Sequence, residues 1–97
     1  MIGGLMIADF RFDPAPSVDD VVVELLWHGE ERMGQIVVPP GMDEAIVISG
    51  LPDLKPLPVI SAVAYAMVLA AQSHRHLKLS GDPSAWRREW GSLIKGH

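Results

Sequence analysis

The sequence predicts an α+β fold. An antiparallel sheet of four to five strands, in the order β-β-β-β-α-β-α, is expected to pack against one buried helix, with a short Trp-bearing C-terminal helix after it. Three observations carry this expectation. Residues 20–38 read as two apolar runs joined by a tight turn, residues 57–73 contain no charged side chain, and Asp82-Pro83 opens a second helical pattern.

Ile7 to Phe12 alternates, with Ala8, Phe10 and Phe12 on one side and Asp9 and Arg11 on the other. Period two marks a half-buried strand. Pro14 and Pro16 end it, because proline cannot donate to a ladder.

Val21 to Trp27 and Glu31 to Val38 flank Gly29-Glu30. Glycine at the first central position suits a type II′ hairpin. That turn sets the register, and a one-residue slip would exchange the faces. Val21, Val23, Leu25 and Trp27 then share a side with Val38, Ile36, Gly34 and Arg32, and this side is expected to face the core. The other side pairs Val22 with Val37, Glu24 with Gln35, Leu26 with Met33 and His28 with Glu31. It is too apolar for a free surface and too polar for a core.

Pro40-Gly41 suits a type II turn. Ala45 to Ser49 reads as a short central strand, and residues 51–58 as an extended proline-rich connector. A helix follows from Pro58 to His74. Val59, Val63, Ala66, Met67, Ala70 and His74 are expected on its core side. Ser61, Tyr65, Val68 and Gln72 are expected on the other. Ala62, Ala66 and Ala70 recur every fourth residue and permit close approach to a sheet. A helix this apolar is expected to be covered on most sides. His76 to Ser80 reads as a strand with Leu77 and Leu79 inward. Asp82 as cap and Pro83 as first helical residue open a helix to about Lys95, with Trp86, Trp90 and Ile94 on one stripe.

The 97 residues are expected to form a single domain, 1–97. The hydrophobic share of 48% supplies one core, and the charged share of 21% is low enough to predict that part of the surface is covered by a partner. The chain has no cysteine, threonine or asparagine. Disulfide frameworks, thiolate nucleophiles and cysteine-based metal sites are thereby excluded. MIGGLMIADF lacks the basic start of a signal peptide. The uncharged run is also shorter than the ~20 residues a membrane span needs. A cytoplasmic protein with no membrane partner is the resulting expectation, and the absence of Asn, Thr and Cys beside abundant Ala, Gly, Pro and Val suits a bacterial or phage source. Net charge is −4, with the acids concentrated in residues 1–56 and a basic excess in residues 57–97.

Few residues offer chemistry. His74 and His76, with His28, are the candidate metal ligands, although an H-x-H pair across a helix–strand junction has no ligand-spacing signature. Ser49-Gly50 is not a nucleophile elbow. At Ser80-Gly81-Asp82-Pro83, the acid and the proline oppose anion binding. Trp86-Arg87-Arg88-Glu89-Trp90 interleaves bases with aromatics, but the tryptophans share one helical face, and direct nucleic-acid binding is not expected. No catalytic residue and no cofactor is assigned.

The leading expectation is a non-enzymatic protein–protein interaction module or assembly subunit, a homodimer or larger. Leu26, Trp27, Met33, Trp86 and Trp90 are its contact candidates. The alternative is a small-molecule or metal-binding domain using His28, His74 and His76. A third reading is an acidic inhibitor or decoy protein that engages a basic partner.

Overall fold

The computed structural model describes residues 9–41 and 56–95. Within them the chain forms β1 (Asp9–Phe12), β2 (Val21–His28), β3 (Glu31–Val37), β4 (Leu57–Pro58), helix α1 (Val59–Ser73), β5 (Leu77–Gly81) and β6 (Ser92–Lys95). Two 3-10 turns, Pro83–Ala85 and Arg88–Trp90, lie between β5 and β6. The strand expected at Ala45 to Ser49 falls outside the described residues.

The hairpin forms in the expected register, from Val22 opposite Val37 to His28 opposite Glu31. Gly29 has φ +64 and Glu30 does not share that sign, which is the type II′ signature. Val21, Val23, Leu25 and Ile36 are buried on one face.

Among the described residues the sheet is mixed, which corrects the expected all-antiparallel arrangement. Its six strands run β4-β3-β2-β5-β1-β6. β3 pairs antiparallel with β2 and β4. β5 pairs parallel with β1 and β2, and β6 parallel with β1. Parallel neighbours need a crossover. Three segments serve: residues 13–20 from β1 to β2, α1 from β4 to β5, and residues 82–91 from β5 to β6.

Helix α1 lies on the face of β2, β3 and β5 that holds the core. Val59, Ala62, Val63, Ala66, Leu69 and Ala70 face the sheet. This corrects the expected orientation, in which Met67 and His74 faced the core; both are exposed. Gly34 explains the rotation. A Cβ there would lie 2.7 Å from Val23 Cγ1 and 2.9 Å from Ala62 Cβ. Its absence lets Ala62 sit directly on the sheet, and the contact centre turns toward Ala62 and Leu69. The helix ends in a Schellman motif, with Arg75 N donating to Ala70 O at 2.9 Å and His74 N to Ala71 O at 3.4 Å.

The C-terminal helix does not form. Asp82 does cap, accepting from Ser84 N, and Pro83 does occupy the first turn. Trp86 (φ −96, ψ 137) and Arg87 (φ −99, ψ 140) are then extended. A 3-10 turn rarely propagates beyond a few residues, and Gly91 weakens a helix by about 1 kcal/mol relative to alanine. The extended path lets Ser92–Lys95 pair with β1 along four positions. Trp86 meets Phe10 and Trp90 edge-on, each at a centroid distance of 5.2 Å. Its indole donates to Gly91 O at 3.0 Å.

The charge imbalance between the two halves of the chain is not a separation between two ends of the fold. β5 lies between β1 and β2. Lys78 on β5 therefore reaches Asp20 at 3.1 Å and Asp13 at 3.8 Å, and Arg75 lies 3.9 Å from Asp19. No helix among the described residues is long and apolar enough to cross a membrane.

Candidate protein-interaction surface

The side of α1 turned away from the sheet is exposed, and an apolar stripe runs along it beside Ser61, Tyr65 and Gln72. At 3.6 residues per turn, Ile60, Ala64, Met67 and Ala71 fall within about 60° of one another. Val68 borders this stripe. Ile60 is 52% exposed, Met67 50% and Val68 50%, and Ala64 and Ala71 are exposed as well. The whole helix carries no charged side chain. Among the described residues, the sheet covers one side of the helix and the other side is exposed. Isolated exposed aliphatic residues are ordinary on protein surfaces, and a contiguous uncharged stripe is a candidate contact surface.

The two ends of α1 differ in charge. Glu30, Glu31, Arg32 and Arg87 line a cleft with Pro58 and Ile60 at the N-terminal end. Arg32 is held over the Trp27 ring, 4.7 Å from its centroid, and Arg87 pairs with Glu89 at 3.4 Å. Glu30 and Glu31 make no ion pair among the described residues. At the C-terminal end Arg11, Arg75 and His76 line a cleft with Met67 and Ala70.

The sequence-predicted contact residues do not form one patch. Leu26 and Met33 oppose each other on the sheet face away from α1 and are partly buried. Trp27 lies on the helix-side face at 37% exposure, and its indole donates to Ser84 Oγ at 2.9 Å. Trp86 and Trp90 pack against the core from the 82–91 crossover. Ile60, Ala64, Met67 and Ala71 were not among the candidates. Their 4-3-4 spacing, opposite to the Ala62 and Ala66 positions, was the signal available in the sequence.

The three histidines are not brought together. Val21 on β2 pairs with Leu77 on β5, so His76 lies at the start of β2. His28 lies seven residues further along β2, about 23 Å away at ~3.3 Å per residue. His74 and His76 are both exposed. Among the described residues, no group of three or more His, Asp or Glu side chains could hold a metal. The acids are dispersed too. Asp13, Asp19 and Asp20 lie near the basic residues of the β5 start, Glu24 on the outer sheet face, and Glu30 and Glu31 at the hairpin turn.

A third cleft, of about 330 Å³, opens on the outer sheet face. Pro14, Pro16, Val18, Val22, Val37 and Pro40 supply its apolar walls. The strap over it, residues 13–20, is tied down by its own hydrogen bonds: Ser17 N donates to Asp20 Oδ2 at 3.2 Å, and Asp19 N to Ser17 Oγ at 3.1 Å.

No protein-family model, curated protein or solved structure matches the chain.

Proposed function

We propose that this protein is a non-enzymatic protein–protein interaction module, an assembly subunit whose contact surface is the outer side of α1. The observation that carries this reading is the exposed stripe of Ile60, Ala64, Met67 and Ala71 on a helix without a single charge. Burying such a stripe is favourable at about 25 cal/mol per Å² of apolar surface, and no desolvated charge opposes it. This replaces the hairpin face as the preferred contact surface, because Leu26 and Met33 are already partly buried.

The test is absolute mass by light scattering over a wide concentration range, for the parent chain and a Met67→Glu variant. The parent is expected to associate and the variant to remain at the mass of one chain with an unchanged circular dichroism spectrum. A Met67→Glu variant that associates to the same mass as the parent at every concentration would remove the helix face from the reading.

A further inference from the structure

Independently of the helix face, we propose that the cleft on the outer side of the sheet binds a small organic cation, a primary ammonium carried on a short aliphatic body. The cleft lies between the hairpin and the strap of residues 13–20. Its shape comes from local chemistry. Pro14 and Pro16 restrict the backbone of the strap, and Ala15 N donates to Asp13 Oδ1 at 2.9 Å. Together with the bonds from Ser17 N and Asp19 N, these hold the strap over Val22, which is buried although it lies on the outer face. The cleft is thus formed in advance, and a ligand has little to order on entering it. Its volume of about 330 Å³ is that of a small-molecule site at the lower end of the usual range.

The polar floor selects a cation. Glu24 on β2 and Ser80 on β5 are register partners, on strands about 4.8 Å apart, and both line the cleft. Ser80 is 6% exposed. Among the described residues its hydroxyl has no hydrogen-bond partner, and the Glu24 carboxylate has no ion pair. Buried polar groups are ordinarily satisfied, so this pair is open to a ligand's donors. An ammonium carries three donors. The carboxylate and the hydroxyl accept two of them, and the third is left to water at the mouth.

The surrounding charge has the matching sign. Of the described lining residues, Asp20 and Glu24 are acidic and none is basic. Lys78, opposite Val22 on the same face, is held by Asp20 at 3.1 Å and by Asp13 at 3.8 Å. Three acids against one base leave the cleft negative, which repels an anion. A neutral ligand would desolvate the Glu24 carboxylate without pairing it. A metal ion fits less well, because no group of three or more ligating side chains gathers among the described residues. Val22, Val37 and the prolines of the wall take the aliphatic body out of water.

The test is n-hexylamine, which is protonated near neutral pH, titrated into isotope-labelled protein and followed by nuclear magnetic resonance. Titrations with n-hexanol and hexanoate keep the chain length and change the charge. The amide signals of Val22, Glu24 and Ser80 are expected to shift saturably with the amine, at least about tenfold more weakly with the alcohol, and not with the carboxylate. Glu24→Gln keeps the shape of an exposed side chain, and it is expected to weaken the amine about tenfold while leaving the alcohol unchanged. Ser80→Ala is expected to weaken the amine severalfold and to leave the urea midpoint unchanged or raised, because a buried hydroxyl without a partner stabilises nothing. A lowered midpoint would give the hydroxyl a structural role and overturn its place in the site. Equal affinity for amine and alcohol, tighter binding of hexanoate, or no shift at these three amides with any of the probes would overturn the proposal.

Discussion

The indole of Trp27 and the hydroxyl of Ser84, 57 positions apart in the chain, meet at 2.9 Å. Ser84 Oγ in turn donates a hydrogen bond to Asp82 Oδ1 at 2.7 Å. Donor, hydroxyl and carboxylate thus form one short chain of hydrogen bonds that ties the end of β2 to the first turn of the 82–91 crossover. A Ser84→Ala variant leaves the indole without its acceptor. The expected loss is about 1 kcal/mol, read as a lower urea midpoint at constant slope. A Ser84→Thr variant keeps an Oγ and should restore most of the loss.

The same cluster carries a pH dependence. The hydrogen bonds from the Ser84 side chain and backbone hold the Asp82 carboxyl below the usual aspartate range. A depressed acid contributes stability above its unfolded value, about 3.9, and loses it as pH falls through its folded value. Trp27 fluorescence followed from pH 6 down to pH 2 should show a step below pH 4 in the parent. That step should shrink in Ser84→Ala, and a step of unchanged size would show that Ser84 does not hold the carboxylate. Parallel measurements with Trp86 and Trp90 replaced by Phe isolate the Trp27 signal.

Gly34 is where the helix rests on the sheet. A methyl at this position would meet Val23 Cγ1 and Ala62 Cβ inside their contact distances. Both neighbours are fully buried, so neither can move without disturbing the core. Gly34→Ala is expected to destabilise by about 1–3 kcal/mol through overpacking. Combining it with Ala62→Gly, which opens space on the helix, should recover part of the stability in a denaturation cycle. Strict additivity of the two losses would show that the contact is not shared.

His74 ends α1 with φ 56 and ψ 40, the left-handed conformation, which disfavours residues with a Cβ. Glycine fits the same position without that strain. His74→Gly is expected to stabilise the fold by about 0.5–1 kcal/mol. The check is the thermal midpoint, which should rise by a few degrees. A fall would mean that the imidazole makes a contact worth more than the backbone strain.

Local rules made much of the fold legible. The Gly29-Glu30 turn set the register of seven residue pairs, and alternation then told which side of the hairpin is buried. The uncharged run and its flanking prolines located α1 nearly to the residue. The rest depended on distant pairing. Nothing near Trp86 in the sequence says that β1 offers an open edge to Ser92–Lys95, and so a capped, aromatic segment looked helical. Nothing near Val21 says that its outer neighbour is β5. The rotation of α1 followed from a glycine 28 residues before Ala62. That rotation turned Met67 outward, and with it the proposed contact surface moves from the hairpin to the helix.

The position of β5 between β1 and β2 also bears on how the protein is made. β1 and β2 emerge from the ribosome first, yet they touch the sheet's centre through a strand that follows more than fifty residues later. Until residues 77–81 are available, β1 has no neighbour and one side of β2 is an open edge. Contacts of such sequence separation slow folding, and an unpaired edge during that interval invites pairing with another chain. The hairpin of β2 and β3 can close early on its own turn, but the parallel half of the sheet assembles only after α1 has been synthesised and has carried the chain back. Termination between Ser73 and Leu77 would therefore leave the β4-β3-β2 half of the sheet with its helix, an open edge on β2 and an orphaned first strand.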